Sequence, residues 1–145
     1  MRSSTFDVRS IYAVAGVLAA VAAAVGLLAM GRPAGAAPST FTPEADAYVI
    51  ESSPDTNFGS IAILRVDSSP ITQSYLRFNV QGLSGTVSSA TLRIFANSSQ
   101  TTGFDVHDVA DDSWVESGIT GITYNNAPDI TPAIVASSGP VTAMT

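Results

Sequence analysis

Two stretches of the chain alternate with a period of two. Leu76, Phe78 and Val80 interleave with Tyr75, Arg77 and Asn79, and Ala90, Leu92, Ile94 and Ala96 interleave with Thr91, Arg93 and Phe95. Successive side chains of a strand point to opposite faces, so this pattern specifies strands with one face in a core; a helix would need apolar residues three and four apart. No helical period appears from Phe41 onward. Further strands are expected at 45–50, 61–67, 104–109 and 133–137. Turn-forming clusters separate them: Ser52 to Asn57, Asp67-Ser68-Ser69-Pro70, Gly82 to Gly85 and Asn125 to Asp129. Short strands at this spacing predict an all-β fold, a jelly-roll-like antiparallel β-sandwich. Gly118-Ile119-Thr120 repeats as Gly121-Ile122-Thr123 and reads as a small loop insertion.

Residues 1–37 have a different texture. Arg2 and Arg9 precede an uncharged run from Ile11 to Met30, and Arg32-Pro33 leads into Ala34-Gly35-Ala36-Ala37. A positive start, an apolar run and small residues at a cleavage site make a signal helix removed after Ala36 or Ala37, and hence a secreted, extracellular or cell-surface protein. The competing reading is an uncleaved anchor, since about 20 apolar residues can span a bilayer; the membrane would then be a partner through this segment alone. The module proper is residues 38–145. It contains no cysteine, so no disulfide framework holds it. From Ala37 onward three arginines, Arg65, Arg77 and Arg93, stand against eleven acidic residues, a net charge of −8. That balance excludes nucleic acid as a partner and requires locally gathered arginines for any anionic ligand.

A run of ordered motifs adds to this reading. Ala45-Asp46-Ala47-Tyr48-Val49 is followed by Ser53-Pro54-Asp55-Thr56-Asn57-Phe58-Gly59, Leu64-Arg65-Val66, Ser74-Tyr75-Leu76-Arg77-Phe78 and Val87 to Leu92. Asp112-Ser113-Trp114-Val115-Glu116 and Ile122 to Pro128 complete the run. Over residues 41 to about 137 the chain resembles the DNRLRE domain, also described as carbohydrate-binding module family 96. The resemblance implies a jelly-roll β-sandwich attached to bacterial extracellular proteins, with alginate binding among some members. The chain differs in having Tyr124 where many members carry Trp, in its Gly-Ile-Thr insertion, and in ending before the strands that name the family, so the copy reads as truncated.

The candidate chemistry is sparse. His107 is the only histidine. A zinc site needs His or Cys donors in number, and Ser-His-Asp catalysis needs its base placed beside a nucleophile, for which one histidine in a strand is a poor signal, so no catalytic or metal residue is assigned. Asp108, Asp111, Asp112 and Glu116 either gather oxygen donors for a structural calcium or form a solvated acidic loop, and the spacing of an EF-hand is missing. No other cofactor is expected. Trp114 is either a sugar platform or a plug at the end of the sandwich. Tyr48, Tyr75 and Tyr124 are read as exposed rings, Tyr75 because its parity opposes Leu76 and Phe78.

The arginines form the sharpest constellation. If 61–67 and 74–80 make a symmetric hairpin, Arg65 lies opposite Arg77 with both outward, and Arg93 is outward on its own strand. Three guanidiniums on one face would hold carboxylates bidentately; the alternative pairs each with a neighbour such as Asp67 or Asp46. Together with the resemblance, this predicts a non-catalytic module binding an extracellular polysaccharide, including alginate-like polyuronates. Its ligand residues would be Arg65, Arg77, Arg93, Tyr75 and Tyr48. The alternatives are a structural or adhesion spacer without a sugar site and, as a third class, a hydrolase or lyase, which would show a cleft with paired carboxylates or a Tyr/His pair.

Overall fold

The computed structural model describes residues 6–16, 38–84 and 86–144. No helix occurs among them. Eight strands follow in order: β1 Phe6–Gly16, β2 Ser39–Phe41, β3 Ala45–Ile50, β4 Leu64–Ser68, β5 Ile71–Arg77, β6 Ser89–Ala96, β7 Asp105–Val109 and β8 Ile130–Ser137. Every ladder between them is antiparallel. The expected all-β sandwich is therefore the observed fold. Most of the expected export segment lies outside the described residues; its stretch Phe6–Gly16 is extended.

The larger sheet runs β2-β1-β4-β5-β3, with β6 joined to β1, and β7-β8 forms a second, two-stranded sheet. Strand β6 realises the alternation from Thr91 onward, while Ala90 at its start is exposed. Leu92 and Ile94 are half-buried and Ala96 is buried, whereas Thr91, Arg93 and Phe95 are exposed. The inward set joins a core built on Tyr48 and Leu64, against which Phe58, Leu76 and Phe78 pack.

Strands β3 and β5 depart from the simple pattern because both of their faces are covered. On the side away from the first core, Ala47, Val49, Tyr75 and Ile122 form a second buried cluster, backed by Trp114, Tyr124 and Ala127. The long segment from 110 to 129 therefore folds over the sheet. The apolar run from Ala47 to Ile50 in β3 suits a strand with no wet face. The tripeptide repeat divides between environments: Ile119 is fully exposed at a loop tip, while Ile122 is only 1% exposed and is among the largest fully buried side chains. The apparent insertion thus supplies a core residue.

The β4–β5 hairpin corrects the expected register. Ser68 lies opposite Ile71 and Asp67 opposite Thr72, with only Ser69 and Pro70 between the strands. Asp67 Oδ1 accepts hydrogen bonds from the amides of Ser68 at 2.7 Å and Ser69 at 3.1 Å, so the carboxylate fixes a tighter turn than the symmetric register needs. Arg65 accordingly meets Ser74, whose hydroxyl accepts from the Arg65 amide at 3.0 Å and donates to the Arg65 carbonyl at 2.7 Å. Arg77 lies opposite Ala45 on β3. Facing residues share a side of the sheet, and Ser74 and Arg77 have opposite parity along β5, so the two arginines fall on opposite faces.

Candidate functional site

The Arg77 guanidinium is committed to the segment that covers the second core. Its Nε donates to Glu44 Oε1 at 2.8 Å, and one terminal nitrogen donates to the carbonyls of Asp112 at 2.7 Å and Trp114 at 2.5 Å. The guanidinium carbon lies 5.3 Å from the centre of the Trp114 ring. One planar cation therefore caps two carbonyls, pairs with a carboxylate and covers an indole face, a combination an ammonium cannot reproduce. The carboxylate partner is Glu44, neither Asp46 nor Asp67. Trp114 itself is half-buried and meets Tyr75 edge to face at 6.1 Å between ring centres.

The motif from Ser53 to Gly59 anchors the far end of the same segment. Asn57 Nδ2 donates to the Glu116 carbonyl at 2.8 Å and to the Ile122 carbonyl at 2.7 Å, tying together the two limbs of the loop between them. Asn125 reaches back, its Nδ2 donating to Asp55 Oδ1 at 2.8 Å. A Cβ on Gly59 would stand 1.8 Å from the Glu116 carbonyl oxygen, so only glycine admits this approach. These motif residues build the fold.

The tyrosines are corrected outright. Tyr48 and Tyr75 are each 4% exposed. Tyr48 stacks on Phe58 with ring centres 4.6 Å apart and planes 16° from parallel. The Tyr75 hydroxyl lies 3.1 Å from the Pro128 carbonyl, to which it donates, and burial together with Asp129 pushes its phenol above the usual range. Tyr124 is half-buried against the same cluster. The parity of Tyr75 does turn it away from the core that holds Leu76, but the outer face it points to is roofed by residues 110–129. Neither Tyr48 nor Tyr75 offers a ring to a sugar in this structure.

Arg65 is half-buried, with its guanidinium carbon 5.7 Å from the centre of the Tyr48 ring. Among the described residues its buried Nε has no hydrogen-bond partner. Of the three arginines only Arg93 is exposed, on the outer face of β6. The three do not share a face, which corrects the expected constellation.

What the β6 face does bring together is Thr91, Arg93 and Phe95, all exposed at alternate positions. Residues two apart on a strand lie about 7 Å from each other along its axis. Phe95 is 37% exposed, two residues along the strand from Arg93. Its sequence signal was only an outward parity, which any surface residue of a strand shares.

Among the described residues no three His, Cys, Asp or Glu side chains come together as a metal site. Asp111 accepts hydrogen bonds from the amide of Ser113 at 2.9 Å and its hydroxyl at 2.6 Å, which lower its ionisation below the usual carboxylate range. Glu116 turns to the Asp46 amide, 3.4 Å from its Oε2, while Asp108 and Asp112 are exposed. His107 Nδ1 lies 2.9 Å from the Thr131 carbonyl, to which the protonated nitrogen donates across β7 and β8. Asp111, Glu116 and His107 serve as local ties within the fold.

No curated protein and no solved structure matches the chain. The family model of carbohydrate-binding module family 96 matches residues 37–144, the whole of the sandwich just described apart from β1. A match over that span, on a fold of antiparallel strands, means that the chain belongs to carbohydrate-binding module family 96, a family of non-catalytic modules.

Proposed function

We propose that this chain is an exported, non-catalytic module that holds an extracellular polysaccharide on the outer face of β6, with Arg93 and Phe95 as the principal contacts. The observation that carries the reading is the exposure of Arg93 and Phe95 at alternate positions of one strand, in a module whose other arginines and two of whose tyrosines are engaged inside the fold. A ring face takes the C–H face of a sugar, and a guanidinium fork takes a carboxylate or paired hydroxyls. In a module of net charge −8 a polyuronate is held only where an arginine is presented. Export rests on the uncharged run from Ile11 to Met30 followed by Ala34-Gly35-Ala36-Ala37.

The test is affinity electrophoresis of the chain through gels containing alginate, pectin, cellulose or xylan. Retardation in the uronate gels, reduced by Arg93→Ala, supports the reading. Unretarded migration in all four gels overturns it. A second reading then takes its place: the internal use of Arg65, Arg77, Tyr48 and Tyr75 favours a spacer or adhesion module without a sugar site. Mass spectrometry of culture supernatant should find an N-terminus at Ala37 or Pro38, and intact Met1 on membrane-bound chain would instead support the anchor.

A further inference from the structure

Strand β6 takes its ladder from a segment outside the matched module. Among the described residues its one partner strand is β1, which faces it from Val8 opposite Ala96 to Gly16 opposite Ser89, with a register shift between Val8 and Ser10. The same β1 lies against β4 at Phe6–Val8 and against β2 at Ala13–Ala15. It therefore closes the larger sheet, linking β6 to the other strands. Yet Phe6–Gly16 belongs to the stretch read as an export signal, so a processed chain lacks it. Without β1, the stretch Ser89 to Phe95 of β6 presents a row of amides and carbonyls without their ladder partner, the arrangement that recruits a further strand, while the Ala96 carbonyl keeps the Met144 amide as donor at 2.8 Å.

We propose that the β6 edge is a strand-acceptor slot, and that after removal of the N-terminal segment it binds an extended strand of a partner polypeptide, antiparallel to β6 and uncharged over about seven residues. This rests on the export reading given above. The chemistry of the partner follows from the present occupant: Ser10–Gly16, facing Phe95 to Ser89, contains no charged residue. Main-chain hydrogen bonds supply the affinity in such strand addition, so the slot selects extended conformation and alternation more than a particular sequence. A net charge of −8 disfavours an acidic strand.

The full chain permits a direct test, because it contains no cysteine. Ile11→Cys combined with Ile94→Cys places two thiols at registered positions, and mild oxidation should cross-link them in most molecules, within one chain or between two copies that exchange the strand. Ile11→Cys with Thr91→Cys, three residues out of register, should not link. Absence of the first cross-link, or equal yields for both pairs, overturns the slot. A second arm adds a fluorescent peptide with the sequence of Phe6–Gly16 to full chain carrying Ile11→Pro, whose own strand has lost a ladder donor. The peptide should bind at least tenfold more tightly than a scrambled version; equal binding of the two overturns the proposal. Both arms read the slot whether or not the supernatant N-terminus supports export and whether or not any sugar gel retards the protein.

Discussion

Asp46 shows how one residue sets a pH dependence for the whole module. It sits on β3 between two covered faces, and burial, reinforced by the Glu116 carboxylate, raises its ionisation above the value near 3.8 of an unfolded aspartate. A carboxyl whose folded value is raised favours the fold while it is protonated. Stability is therefore fully present below about 3.8 and is lost as pH rises through the folded value, the reverse of the usual aspartate. Asp46→Asn should melt at a higher temperature than the parent at pH 7, with the difference vanishing below pH 3.8. Thermal melts across that range check this, and a constant difference at every pH would contradict it. Tyr75→Phe removes the donor to the Pro128 carbonyl and should cost about 1 kcal/mol in denaturant melts. It should leave sugar binding unchanged, because the ring lies inside the second core.

At the level of elements, the segment 110–129 decides what the sequence could show. Strands β3, β6 and β7 fall close to where alternation and turn residues put them, but β5 runs Ile71–Arg77, so Phe78 to Val80 of the first alternating stretch lie beyond it and Val80 is half exposed. Strand β1 was not foreseen, because its sequence satisfies an export signal as well as a strand. The covering of β3 and β5 by a distant segment leaves no periodic trace, so Tyr75 and Arg77 read as surface residues. The turn around Pro70 likewise sets a register that an assumed symmetric hairpin misses, and with it the face of Arg65. The ties of the segment are open to test. Asn57→Ala leaves the carbonyls of Glu116 and Ile122 without their donor and should cost about 2–3 kcal/mol. Hydrogen exchange should quicken at the amides of Gly121 and Ile122, which bond to Gly118 and Val115, and stay unchanged in β6. Arg77→Ala should destabilise by about 2 kcal/mol, and Arg77→Lys should recover only part of that, because the ammonium lacks the fork that reaches two carbonyls and Glu44. Equal stability of the lysine variant and the parent would show that charge alone suffices.

For the whole molecule, the division of labour among three arginines is the main outcome. Arg77 holds a covering segment, Arg65 lies beside a buried ring, and Arg93 faces out. Family membership and fold were legible from ordered motifs; the ligand face was not, because it depends on which cations the folded chain uses up. A net charge of −8 makes any hold on a polyuronate local and sensitive to salt. The most direct measurement is calorimetric titration of an alginate oligosaccharide into the parent chain and into Arg93→Ala and Tyr75→Phe. One charge-assisted contact is worth about 1.5–3 kcal/mol, so Arg93→Ala should weaken binding about ten- to a hundredfold with an unchanged melt, while Tyr75→Phe binds like the parent. Undiminished affinity in Arg93→Ala would contradict the assignment of the ligand face to β6.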